Sequence, residues 1–83
     1  ALAGEDQEIC SDITSLSANN PEAGIEIGQW ILVSGTGIIN NSNDPNTTVT
    51  GLSLGDNTFQ WSLINDCGSM DDLVTITVLD GNL

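Results

Sequence analysis

Carboxylates are the side chains of this sequence best suited to chemistry, and six of them fall into groups. Glu5 and Asp6 lie near the N-terminus, Asp66, Asp71 and Asp72 surround the second cysteine, and Asp80 lies near the C-terminus. Calcium takes roughly six to eight oxygens from carboxylates and carbonyls, so acidic residues at the two poles of a domain are suited to clamp a junction with a neighbour. No Asp-x-Asp-x-Asp-Gly loop is present, and Asp80, Gly81 and Asn82 are only a fragment of one. The expectation is therefore no cofactor, with calcium on these six residues as the candidate and a solvated acidic surface as the default. Paired carboxylates also hydrolyse glycosidic bonds. A chain of 83 residues leaves little room for a substrate cleft beside a core, so no enzyme is expected.

Lysine, arginine and histidine are absent, against twelve Asp and Glu, and the formal charge is −12. That removes side-chain salt bridges, Arg or Lys phosphate clamps, imidazole bases and lysine Schiff bases. Nucleic acid and anionic lipid are repelled, because binding them relies on cations displacing counterions. A cation, a neutral surface or a basic partner remains. The longest apolar runs are a few residues, as in Trp30 to Val33, so nothing is expected to insert into a membrane. The sequence carries no charged-then-apolar export signal, which places any such signal outside it.

A domain of this size folds with a small margin, and a covalent link would matter. Cys10 and Cys67 would close a loop of nearly sixty residues. By the chain-entropy argument that loop is worth about 4 kcal/mol, on the order of half the stability of a small domain. Two separate buried thiols are the alternative, and a zinc site a weaker one, since two thiolates without histidine leave the usual ligand sets incomplete.

The elements that position these residues read as β nearly throughout. Phe59, Trp61 and Leu63 alternate with Thr58, Gln60 and Ser62, and Val74, Ile76 and Val78 alternate with Thr75 and Thr77; each pattern marks a strand with one buried face. Trp30, Phe59, Trp61, Val74, Ile76 and Val78 are the expected core. Gln29 to Val33 is apolar on both faces, which suits a central strand covered on two sides or one close to a neighbouring domain. Weaker strands are expected at Gln7 to Cys10, Ile13 to Ala18 and Thr47 to Leu52. Turns are expected at Asn19 to Gly24, Ser34 to Gly37 and Gly55 to Asn57, and a surface loop or ragged edge strand at Asn40 to Asn46. Six or seven short strands at this spacing argue for one antiparallel sandwich of two sheets spanning residues 1–83.

Beyond these patterns, an ordered set of residues resembles a known family. The set is Ala3, Gly4, Asp6, Gln7 and Cys10; Gly28 and Trp30 before Ser34, Gly35 and Gly37; Pro45; Thr48 to Leu52, then Gly55, Asn57, Phe59 and Trp61; Cys67; and Asp72 with Val74 to Val78. It is similar to the PKD-like, immunoglobulin-like repeats of large type IX secreted surface adhesins of Bacteroidota, proteins associated with gliding motility. The resemblance covers residues 3 to 78. It implies a β-sandwich of about seven strands, an extracellular or cell-surface location, tandem arrangement, no catalysis and a Cys10–Cys67 disulfide. Two departures are Gln60, where such repeats often carry Arg or Lys, and the extra Leu73 between Asp72 and Val74, which could shift the register of the last strand.

The functional expectation is a spacer repeat in the stalk of a cell-adhesion protein, with neighbouring repeats of the same chain as its partners. The alternatives are a module that binds calcium or a surface polysaccharide, and a self-assembling filament subunit in which Ala1, Leu2, Ala3 and Leu83 form contacts. Trp30 and Trp61 could present rings to a sugar, but both lie in strand-like segments and core packing is the better reading. The Thr-x-Thr pairs at Thr48 and Thr50, and at Thr75 and Thr77, suit an ice-binding face but are ordinary on exposed strands. Asn40-Asn41-Ser42 and Asn46-Thr47-Thr48 match the glycosylation sequon, as an Asn-rich and Thr-rich chain does by chance. Without lysine, no Lys–Asn isopeptide bond can form.

Overall fold

The computed structural model describes residues 2–22 and 24–79. Seven strands follow in order: β1 (Gln7–Ile9), β2 (Thr14–Ser15), β3 (Ile27–Ser34), β4 (Ile38–Ile39), β5 (Thr48–Thr50), β6 (Gly55–Asn65) and β7 (Gly68–Val78), with no helix among the described residues. They form two sheets, one of four strands in the order β1-β7-β6-β3 and one of three in the order β2-β5-β4. All pairings are antiparallel except β1 with β7, which is parallel. The domain is elongated, 49 Å by 17 Å by 17 Å.

The long sheet is built on the β6–β7 hairpin, whose ladder runs without a break from Gly55 opposite Val78 to Asn65 opposite Gly68. Leu73 therefore shifts nothing: it pairs with Gln60 in register. Period-two alternation turns Phe59, Trp61, Leu63, Val74, Ile76 and Val78 inward, where all are buried. Trp30 lies opposite Trp61, with ring centroids 5.0 Å apart and planes tilted by 41°, within the range for favourable aromatic contact. The Trp30 indole N–H donates to the Asp44 carbonyl at 3.0 Å. Leu16, Val49 and Leu52 close the core from the short sheet side.

Two local expectations are corrected, and a third segment is the loop its composition suggested. Gly55 to Asn57 is the start of β6 rather than a turn, because the Asn57 amide is buried and finds partners there. Its Oδ1 accepts from the Thr36 N–H and the Ser53 hydroxyl, both at 2.9 Å, and its Nδ2 donates to the carbonyls of Ser53, Gly55 and Ile76. Strand β3 is an edge strand, not a central one, and its outward Ile31 and Val33 stay exposed. The 40–46 segment is a loop held by Asx-type bonds, Asn43 N–H to Asn41 Oδ1 and Asn46 N–H to Asp44 Oδ1. It also covers part of the β3 edge: Trp30 N–H donates to the Ser42 carbonyl, and Asn43 Nδ2 to the Gly28 carbonyl.

Gly28 explains how two tryptophans fit side by side, since a Cβ there would sit 2.2 Å from Trp61 Cη2. Gly28→Ala is expected to lower stability by about 2–3 kcal/mol through overpacking. Asn57→Ala, which orphans donors and carbonyls in three segments, is expected to cost at least as much, on the order of 3 kcal/mol. Urea unfolding followed by tryptophan fluorescence checks both; a loss below about 0.5 kcal/mol for either contradicts the role given to that residue.

Candidate functional site

The two thiols are at opposite ends of the long sheet. Cys10 follows Ile9, which pairs with Val78, whereas Cys67 sits in the hairpin turn before Gly68. Ten residues of β7 separate those levels, about 33 Å at the usual strand rise, while a disulfide needs Cα atoms roughly 4.4–6.8 Å apart. The expected Cys10–Cys67 bridge is therefore absent, and both cysteines are free and exposed. The alternative of buried thiols is corrected as well.

The acidic residues are dispersed in the same way. Asp66 is at the hairpin turn, Asp71 faces outward opposite Ser62, and Asp72 accepts a bond from the Ala3 N–H at 2.8 Å. Asp6 accepts from the Thr75 N–H at 3.0 Å, and Glu5 is exposed beside it. Asp80 lies outside the described residues, as do Ala1 and Leu83 of the expected apolar contacts; Leu2 is exposed and Ala3 is buried. Among the described residues no three Asp, Glu or Cys side chains converge on a point that would hold a metal ion. Asp6 and Asp72 act instead as acceptors for backbone N–H groups.

Trp30, Trp61 and Phe59 are the three aromatic residues, and all are buried, so no ring is offered to a sugar. What the surface does present is the outer face of the four-stranded sheet. Ladder register places Leu73, Gln60 and Ile31 in one row across it, Asp71, Ser62 and Gln29 in the next, and Ser69, Ile64 and Ile27 in a third. Ile27, Ile31, Ile64 and Leu73 are between 41% and 64% exposed, and together they make the centre of this face apolar. At the hairpin end the face runs into an open recess of about 640 Å³ lined by Ile25, Glu26, Ile27, Asn65, Asp66 and Cys67, with Gly24 at its edge. The sequence signal for this face was the apolar filling of both sides of Gln29 to Val33, read there as a central strand covered on two sides or one close to a neighbouring domain.

This architecture is that of PKD domains, the immunoglobulin-like class of sandwich. The PKD domain of the KIAA 1837 protein, solved in solution, matches with a TM-score of 0.79 at 24% identity, over 98% of this chain and 86% of its own. The PKD domain of human KIAA0319, also solved in solution, matches with a TM-score of 0.74 at 19% identity, over 94% of this chain and 78% of its own. No family model and no curated protein matches the sequence. At these identities the likeness establishes the fold, a PKD-like sandwich of seven strands.

With both thiols free, a thiol-reactive chromophore should titrate two groups in the folded protein. A double Cys10→Ser, Cys67→Ser variant should unfold within about 0.5 kcal/mol of the parent, the range for exposed sites without a structural role. Titration of none, together with a reductant-dependent unfolding midpoint, would restore the bridge.

Proposed function

We propose that this domain is a non-catalytic, extracellular spacer module, one repeat in the stalk of a large surface adhesin, whose neighbours are repeats of the same chain. The observation that carries the reading is the direction of the outer strands. β1 and β7 run parallel, in register from Gln7 opposite Ile76 to Ile9 opposite Val78. A chain that arrives at β1 and continues past β7 therefore keeps travelling one way along the 49 Å axis, the arrangement that strings domains end to end. A hairpin-like pairing of first and last strands would return it to its starting point.

Other features agree with a passive role. The core is filled by side chains. Neighbours that each carry a charge near −12 repel, which favours extension at low salt and opposes lateral clumping. The adhesin setting rests on the resemblance to the Bacteroidota surface repeats, and the extracellular setting on that resemblance and on the PKD fold. A glycan-binding role finds no support from the tryptophans, since both rings are inside.

Small-angle scattering from two copies joined in tandem tests the reading. The longest dimension should approach twice the 49 Å of one domain at low salt. A folded-back pair, no longer than a single domain, would sink the spacer reading.

A further inference from the structure

We propose that the outer face of the four-stranded sheet, with the recess at its hairpin end, docks a polypeptide whose apolar strip is flanked by lysine or arginine, one of which enters the recess between Glu26 and Asp66. The centre of the face is apolar and amide in character. Ile31 and Leu73 flank Gln60 in one row, and Ile27 and Ile64 adjoin two rows further on, with Gln29 and Ser62 between them. Carboxylates surround this centre. Glu8 and Asp56 share a row with Thr77 beyond one end, and Asp71 and Asp6 lie on the β7 and β1 side. Glu26 and Asp66 line the recess at the other end. An apolar middle with a charged margin is the anatomy of a protein-binding patch, and here every charge of the margin has one sign.

The recess sets the chemistry of the anchor. Ile25 and Ile27 supply an apolar wall and are 59% and 64% exposed, while Glu26 and Asp66 supply negative charge. A lysine or arginine carries a matching combination, an aliphatic stem that packs on apolar surface and a cationic head. These 83 residues contain neither, so the anchor has to come from outside them.

The other occupants fit less well. A second copy brings another charge of −12 and no cation to the same margin. Anionic lipid and nucleic acid are repelled for the same reason. A sugar would find no exposed ring on which to stack, as all three aromatic residues are buried. The face measures about 26 Å by 15 Å, on the order of 400 Å² per partner, at the usual strand rise and spacing. Twice that is below the roughly 1,200 Å² of a standard stable interface, so the contact is transient and its affinity micromolar rather than nanomolar.

The test is an amide chemical-shift titration of the isotopically labelled chain with three synthetic extended peptides. One alternates leucine and lysine, one replaces each lysine by glutamate, and one replaces each leucine by serine. The leucine–lysine peptide should bind with a Kd of tens of micromolar, shift the amides of Ile31, Gln60, Ile64 and Leu73, and weaken at least about ten-fold between low salt and about 0.3 M NaCl. The glutamate peptide should not bind, and the serine peptide should bind at least about ten-fold more weakly. The pair Ile31→Ser and Leu73→Ser, and separately the pair Glu26→Gln and Asp66→Asn, should each weaken binding about five-fold or more with the unfolding midpoint kept. Equal binding of the serine peptide, binding of the glutamate peptide, or shifts spread over the acidic surface would overturn the proposal. So would dimerisation of the chain through this face in sedimentation, which would make a second copy the occupant. Unchanged binding by the Glu26 and Asp66 pair would remove the recess from it; if a variant fails to fold, the three peptides on the parent chain decide.

Discussion

Every fixed side-chain charge in this molecule is negative, and cohesion therefore has to come from neutral groups. No side-chain ion pair can offset the mutual repulsion of twelve carboxylates, so apolar burial and hydrogen bonding carry the fold. Several carboxylates are drawn into that scheme as acceptors: Asp72 for the Ala3 N–H, Asp6 for the Thr75 N–H, Asp44 for the Asn46 N–H and Asp56 for the Thr77 hydroxyl. The interior counterpart is Asn57, whose one amide joins the connection after β3 at Thr36, the segment leading into β6 at Ser53 and Gly55, and β7 at Ile76. Few other side chains reach three segments with neutral bonds alone. Gly35 makes room for it, with a φ of +81° and a missing Cβ that would lie 2.5 Å from Asn57 Oδ1.

The two sheets contribute unequally. The β6–β7 hairpin supplies two strands of eleven residues and most of the core, whereas the second sheet is made of strands two and three residues long. The short sheet holds its place through what surrounds it. Leu16 N–H donates to the Thr47 carbonyl and Ala18 N–H to the Pro45 carbonyl, and the Thr47 hydroxyl accepts from Asn41 N–H. The asparagine-rich loop thus serves both layers, closing part of the β3 edge on one side and extending the short sheet on the other.

Much of this was legible in the sequence, and the failures have physical reasons. Alternation in Thr58 to Ile64 and in Val74 to Val78 placed the inward side chains, because a strand with one buried face repeats with period two. Composition misled where it spoke for a turn. Gly55-Asp56-Asn57 has the residues of a tight turn, yet a buried amide with several partners outweighs the turn preference. Met70 to Asp72 lies before the alternating pattern of the last strand, but its partner Trp61 to Leu63 extends the ladder and carries it along. Neither the two-residue β4 nor the parallel β1–β7 pairing has a local signal, since both depend on contacts distant in sequence. The cysteine pair illustrates the limit of loop arithmetic: closure entropy depends on how many residues intervene, whereas bond formation depends on where the folded strands put them. The candidate face was legible only as apolar excess, and its carboxylate margin only as total charge.

The parallel β1–β7 pairing also decides how the domain answers tension. A pull applied through the two ends drags β1 backward and β7 forward along a shared axis. The load then falls on the whole ladder at once, including the Leu79 N–H bond to the Ile9 carbonyl and the carboxylate tethers at Asp6 and Asp72. Strands that slide past one another must break these bonds together, whereas strands that peel apart lose them singly. A short three-residue strand at the margin of the sheet is thereby the latch of the domain under force.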